Sequence, residues 1–436
     1  MKTLKKPNEK VNAFISTKHP ESETGWRLSR WIVTFEESGF FLMKHTFSGE
    51  IISLTAEEFA APEKVEELKQ RRFVVPCDYD EAAKYSETVK LIKLMQPESE
   101  GLKTYTILPT TACNARCTYC YEEGYPVSTM TRETAARLVD FICETRQKDK
   151  ITLSWFGGEP LVCAKTITFI CSELEKRSEP FKSRIITNAS LITPELIKEA
   201  KEVWRLDHVQ VSLDGDRRDY TVRKRYIDPV CHNYNTVIRA IHLLADADIK
   251  VNLRVNLDRE SIGRLRGFLE EMRDEFGKEK NVSLYLAVLF QEKDQPYYLD
   301  LEKEVFELNR YIRELGINYE NREKLHTSFR LNACMADSLD KSIVIDPEGR
   351  FFNCEHLPEN DSTWGNIFDG ITDPELFDKL RTSHPIDKKC RECPYLPQCT
   401  PFYIHGCPNW FEKCREYMDI KTEYELRAAA EKERKC

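Results

Sequence analysis

Cys113, Cys117 and Cys120 form a C-x3-C-x2-C run that no fourth cysteine closes. Three thiolates can hold a [4Fe–4S] cluster by three of its irons, which leaves the fourth iron open to a small-molecule ligand. Clusters that only transfer electrons commonly use four cysteines and leave no such opening. The spacing therefore points to chemistry at an open iron; a chance trio or part of a zinc site is the competing reading. Further along, Gly157 and Gly158 precede Glu159 and Pro160. Paired glycines let a backbone approach a ligand closely, and Glu159 offers an acceptor to an ammonium group. A second set of cysteines lies near the C-terminus: Cys334, Cys354, Cys390, Cys393, Cys399, Cys407 and Cys414, whereas 1–103 holds Cys77 alone. Disulfide scaffolds are normally short and secreted, so cysteines at this density in a long chain read as metal ligands. Cys77, Cys143, Cys163, Cys171, Cys231 and Cys436 fit no motif and are expected to be small buried apolar residues.

The elements that must carry these residues alternate between strand and helix. The β-prone runs 105–109, 151–155, 184–187, 208–213, 250–255 and 282–289 are separated by helical stretches, of which 131–147 is the clearest, with Thr131 near its start. Such a β/α series predicts a largely parallel sheet, and six strands with functional residues just after them predict a partial barrel with its site at the strand C-termini. The first hundred residues differ. Runs 30–35, 39–45 and 50–54 read as three strands, with turns at Ser38-Gly39 and Ser48-Gly49. Helices are expected over 56–69 and 79–95, a linker over 96–101, and a charged helix over 422–436. The sequence thus divides into an α+β domain at 1–100, a barrel at 104–325 and a cysteine-rich domain at 326–436.

The cysteine run, with Tyr119 and Tyr121 beside its last member, resembles that of the radical S-adenosylmethionine (radical SAM) superfamily. The G-G-E-P at 157–160, Asn188 after the 184–187 strand, and the S-x-D-G run beginning at Ser212 are similar to that family's SAM-binding motifs. The resemblance implies a six-stranded incomplete TIM-like barrel in which SAM chelates the open iron, is cleaved to a 5′-deoxyadenosyl radical, and contacts Gly157, Gly158, Glu159, Asn188 and Ser212. Arg223 stands where the family often has an arginine, and Arg254 lies on the next strand. Either guanidinium would suit the SAM carboxylate, with a surface ion pair as the alternative. The C-terminal cysteines are similar to the SPASM domain of peptide and sulfatase maturases, which implies two auxiliary [4Fe–4S] clusters, three in all. By position, Cys390, Cys393, Cys399 and Cys414 would hold the outer cluster and Cys334, Cys354 and Cys407 the inner one. The family's sixth cysteine would fall at Tyr403, so Cys407 replaces it through an insertion. A pair of zinc ribbons is the alternative for this region.

The 1–100 domain resembles the winged-helix-like peptide-recognition domain of ribosomal peptide maturases, where an exposed strand edge can capture a leader peptide as an added strand. The combined expectation is an enzyme that abstracts hydrogen from a ribosomally made precursor peptide and forms a thioether, C–C or C–O cross-link. Flavodoxin or ferredoxin would be its reductant. The alternatives are an anaerobic sulfatase maturase forming formylglycine, and a non-catalytic Fe–S or zinc binding protein. A net charge of −8 gives no support to nucleic-acid binding. No apolar run reaches membrane-spanning length and no secretory signal opens the chain, so no membrane partner and a cytoplasmic location are expected.

Overall fold

The computed structural model describes residues 1–9, 11–12, 24–95, 100–319, 341–355, 363–382, 388–398 and 413–434. Its N-terminal strands are β1 (Lys2–Lys5), β2 (Trp26–Leu28), β3 (Ile32–Glu37), β4 (Phe40–His45), β5 (Glu50–Thr55) and β6 (Val74–Pro76). One antiparallel sheet runs in the order β1-β5-β4-β3, which leaves β3 at an edge, and β2 pairs with β6. Ser38 and Gly39 both have positive φ, 52° and 81°, the conformation that a two-residue hairpin between twisted strands demands. The sheet therefore has one strand more than its sequence suggests, because β1 is short and pairs only with a distant segment. The helix expected over 56–69 is broken. Thr55 and Glu58 form a capping box for Ala56–Ala60, Pro62 opens a single 3-10 turn, and Glu66–Gln70 is a separate helix. A longer helix spans Glu81–Met95.

His45 is buried at the end of β4, edge-on to Phe73. Burial drives its pKa from 6.5 down to about 4, against a hydrogen bond from the ring to the Arg72 backbone carbonyl that favours the charged ring. The unfolded chain therefore binds the proton between these two values and the folded chain does not. Stability is full above pH 6.5 and falls as the pH drops toward 4. Between pH 7.5 and pH 5 this group is expected to cost the N-terminal sheet about 2 kcal/mol. Thermal unfolding at the two pH values checks it, with His45→Asn expected to flatten the difference.

The barrel strands follow as β7 (Thr104–Ile107), β8 (Ile151–Trp155), β9 (Phe181–Thr187), β10 (Leu206–Ser212), β11 (Lys250–Leu257) and β12 (Val282–Val288). All six are parallel and adjacent in sequence order. Two more strands extend the β7 edge: β13 (Ser342–Ile345), parallel to β7, and β14 (Phe351–Phe352), antiparallel to β13. The register sorts the side chains onto two faces. Tyr105, Leu153, Ile185, Val211, Leu253 and Leu284 lie on one face, and all are buried. Tyr105 hydroxyl meets Thr145 Oγ1 of helix Arg132–Thr145, which identifies this as the face the helices cover. Thr106, Ser154, Arg184, Gln210, Arg254 and Tyr285 occupy the other face, so the barrel interior is polar. Thr131 caps Arg132–Thr145 by accepting from Thr134 N.

The described residues group into two compact units, one from 1–98 and 384–436, the other from 99–321 and 334–383. In the first, helix Cys414–Arg434 lies on the N-terminal sheet. Leu426 and Ala430 pack on Leu42 and Ile51, and Glu425 sits between Lys5 and the buried Lys44. This helix starts earlier than the 422–436 expected from its charge pattern. Of the cysteines without a motif, Cys171 is buried as expected, but Cys77 and Cys231 are exposed and Cys143 and Cys163 are partly so. Each of the exposed pair sits in a turn between elements. Cys436 and the 96–99 stretch of the linker lie outside the described residues.

Candidate active site at the C-terminal ends of the barrel strands

The loop after β7 carries Cys113, Cys117 and Cys120, and its backbone is clamped from two directions. From the β8 side, Gly158 N donates to Thr110 O (3.2 Å) and Glu159 N to Ala112 O (2.9 Å). From the β10 side, Arg116 N donates to Arg225 O (2.9 Å), Thr118 N to Arg223 O (3.0 Å), and Ile227 N to Asn114 O (2.9 Å). Burial pushes the Cys113 thiol up to about 12 and raises those of Cys117 and Cys120. Among the described residues, no three His, Cys, Asp or Glu side chains converge closely enough for a single metal ion. In a [4Fe–4S] cluster each thiolate takes a different iron.

The two glycines are required by contact. A Cβ at Gly157 would lie 2.3 Å from Thr110 O, and one at Gly158 2.4 Å from Ala112 O; Gly157 also has φ +114°. Gly158→Ala is therefore expected to push the cysteine loop out of place, costing about 1–3 kcal/mol. Thermal denaturation checks this against Gly263→Ala, where nothing lies within 4 Å of the new Cβ and little change is expected.

Glu159 is wholly buried. Its carboxylate accepts from Thr187 Oγ1 (2.6 Å), Asn188 N (2.8 Å) and Leu161 N (3.1 Å), so both oxygens serve the protein itself by tying the glycine turn to the end of β9. Burial raises its pKa and these three donors oppose the rise. Asn188 is also an internal strut. Its Nδ2 donates to Asn114 Oδ1 (2.8 Å) and its Oδ1 accepts from Ser190 Oγ (2.7 Å), which fastens the cysteine loop to β9. Arg223 is buried against Asp258 (2.5 Å) and the carbonyls of Asp214 and Asn256. Its guanidinium is committed to the fold, against the ligand pairing considered for it from sequence. Ser212 and Arg254 are in register on the polar face, both half-buried, and Arg254 Nε donates to Asn256 Oδ1 (2.9 Å).

Beneath the cysteine loop lies a buried network that the motifs do not announce. Asp214 accepts from Tyr119 hydroxyl (2.5 Å) and Asn256 Nδ2 (2.7 Å) and pairs with Lys224 (3.3 Å), which also donates to Tyr119 (2.9 Å). Burial works against the Lys224 charge, but Asp214 and Tyr119 outweigh it and hold its pKa well above the usual lysine value. The signal available in the sequence was Asp214 within S-x-D-G; its lysine partner follows Arg223 with no motif of its own. Arg184 and Glu355 were missed as well. Arg184 Nε donates to Ser154 Oγ (3.1 Å) inside the barrel. Burial lifts the Glu355 carboxyl, opposed by the Arg184 and Arg254 guanidiniums, so an acid joins two bases at this end of the polar face.

Cys354 is half-buried beside Glu355, just beyond β14. Cys390 lies in helix Lys388–Arg391, Cys393 in the turn after it, with Cys393 N donating to Cys390 O (3.1 Å), and Cys414 opens helix Cys414–Arg434. Cys334, Cys399 and Cys407 lie outside the described residues.

Residues 107–272 match the Radical SAM superfamily. Over 297 residues, 66% of this chain and 88% of the other, the sequence is 22% identical to a probable GTP 3′,8-cyclase of Methanococcus aeolicus. Among solved structures, native anSMEcpe with bound AdoMet, an anaerobic sulfatase maturase, shares 17% identity at a TM-score of 0.59, covering 75% of this chain and 98% of that one. Streptococcus suis SuiB bound to precursor peptide SuiA shares 14% identity at a TM-score of 0.53, covering 89% of this chain and 98% of that one. Among the described residues no helix is long and apolar enough to cross a membrane. A parallel sheet whose strand ends gather a clamped three-cysteine loop, together with that match across its core, makes 107–272 a radical SAM domain and the protein an enzyme of that class.

Proposed function

We propose that the protein is a cytoplasmic peptide maturase that abstracts hydrogen from a ribosomally made precursor peptide and forms an intramolecular thioether, C–C or C–O cross-link. The observation that carries this reading is the antiparallel module ahead of the barrel, with β3 at its edge. The fold likeness to SuiB, solved with a precursor peptide, reaches 89% of this chain, against 75–76% for the anSMEcpe structures. A leader peptide adding to β3 would gain main-chain hydrogen bonds from an edge that pairs with no further strand among the described residues.

The donor set suits a [4Fe–4S] cluster at Cys113, Cys117 and Cys120: three thiols on a clamped loop, beside a glycine turn that leaves no room for side chains. Two auxiliary clusters would use the C-terminal cysteines. Gln398, next to Cys399 in the sequence, supports the outer one, since it is wholly buried and among the described residues neither amide atom is hydrogen-bonded, and an amide N–H can donate to a cluster sulfur. When bound, the first cluster and SAM supply one-electron cleavage of SAM to a 5′-deoxyadenosyl radical, fed by a flavodoxin or ferredoxin. The chain's own residues do the rest. Gly157 and Gly158 open the backbone to the cofactor. Glu159 and Asn188 fix the cysteine loop against β9. Ser212 and Arg254 face the cofactor from the polar wall, where Arg254 can pair with the SAM carboxylate and Arg223 holds the turn behind it. Arg184 and Glu355 meet the substrate, and the helix-covered wall keeps water from the reacting centre.

The test is anaerobic reconstitution with SAM, a reductant and the product of a short reading frame beside the gene, read by mass spectrometry. Loss of two hydrogens per site with no aldehyde trapped by hydrazide supports cross-linking. A trapped aldehyde points to formylglycine chemistry, which the anSMEcpe likeness makes the second reading. Failure to form 5′-deoxyadenosine under any condition overturns both.

A further inference from the structure

The segment bearing Cys390 and Cys393 does not stand apart from the N-terminal sheet; it is part of that unit's core. Leu396 is buried in one cluster with Val11, Trp31, Phe47 and Tyr85, and Cys390 packs against the same cluster. The three aromatic rings lie 5.6–6.4 Å apart, centroid to centroid. Thr46, at the end of β4, donates its hydroxyl to Pro394 O (2.5 Å), and Arg30 pairs with Glu392 (3.1 Å). Cys414, a further cysteine of the set, opens the helix that packs on Leu42 and Ile51 of the sheet. Arg415 stacks over Tyr395 (5.3 Å) and the Tyr395 hydroxyl donates to Asp419 (2.7 Å), so the two cysteine-bearing segments meet. Lower on the same helix, Glu425 between Lys44 and Lys5 fastens it to β4 and β1.

We propose that the metal centre held by Cys390, Cys393 and Cys414 is a structural crosslink of the N-terminal unit, so that the peptide-recognition sheet is ordered only when this centre is occupied. The inference rests on the reading of these cysteines as cluster ligands. Its physical basis is loop closure. Joining Cys393 to Cys414 through a metal centre removes chain entropy from the unfolded state, as a disulfide over a similar loop does. It also fixes the backbone of 390–396, which supplies Leu396 to the aromatic cluster. Without the centre, the small core around Trp31 and Phe47 loses one wall. Loss of this centre would then switch off peptide capture without touching the SAM site, whose cysteines belong to the other unit.

The experiment is hydrogen–deuterium exchange on the full chain, anaerobically, for the reconstituted wild type, the metal-free wild type before and after reconstitution, and Cys390→Ala/Cys393→Ala. The variant is expected to lose about four irons. Its amides over 31–55 and 414–434 should exchange at least about tenfold faster, with 104–257 unchanged. The metal-free wild type should show the same pattern and recover it on reconstitution, which separates loss of the centre from a misfolded variant. Loss of about four irons with unchanged exchange over 31–55 overturns the structural role and leaves the cluster reading intact. Unchanged iron content overturns the ligand reading itself, and the inference with it.

Discussion

Replacing Cys113, Cys117 and Cys120 together by alanine is expected to remove about four irons from a reconstituted total of about twelve and to abolish 5′-deoxyadenosine formation. The size of the effect follows from the geometry. The loop is held by backbone hydrogen bonds to 158–159 on one side and 223–227 on the other, so its fold does not depend on the thiols and should survive their removal. Activity would then be lost without unfolding, and circular dichroism should be unchanged. Iron content falling from about twelve to about eight assigns one cluster to this loop and two to the C-terminal cysteines. About four irons with bound zinc in the wild type would keep the SAM chemistry and remove the auxiliary clusters. Deoxyadenosine formation persisting in the triple variant would place the open-iron cluster elsewhere.

Lys224→Met should be the most damaging single substitution away from the cysteines. Lys224 and Asp214 are both almost wholly inaccessible, and each is the other's counter-charge. Removing one partner of a buried pair strands the other, a cost of about 3–5 kcal/mol. Tyr119, one residue before Cys120, bonds to both partners, so the disturbance reaches the cysteine loop directly. Chemical denaturation of the metal-free protein measures the stability loss without reference to cofactors. Lys224→Met/Asp214→Asn should regain part of it, because the double variant no longer buries an unpaired charge. Equal losses in the single and double variants would show that the charge pair is not what the site depends on.

Local chemistry was readable where a short window contained it. The C-x3-C-x2-C run, the glycine pair before Glu159, the cap at Thr131 and the six barrel strands all depend on residues near each other in sequence, and the strands appear close to where the hydrophobic runs place them. Shorter or interrupted elements were less legible. Strand β1 exists only through its pairing with β5, and Pro62 divides what reads as one amphipathic stretch. Side-chain roles at the site were legible in part. Glu159 and Arg223 stand in recognisable motifs, yet their charges are turned toward the protein's own donors and acceptors, which a motif cannot show.

The sequence by itself determined the donor chemistry, the β/α order and thus a sheet with its site at the strand C-termini. These follow from residue identity and from a hydrophobic period that acts within one element. The tertiary structure alone decided which polar groups meet. It set Lys224 against Asp214 beneath the cysteines, put Arg184 and Arg254 on the interior face, and built the 390–396 segment into the core around Trp31. Those pairings join residues distant in the chain. They arise because burying a charge or an aromatic ring is tolerable only where packing supplies its partner, and no local propensity encodes where that partner will be.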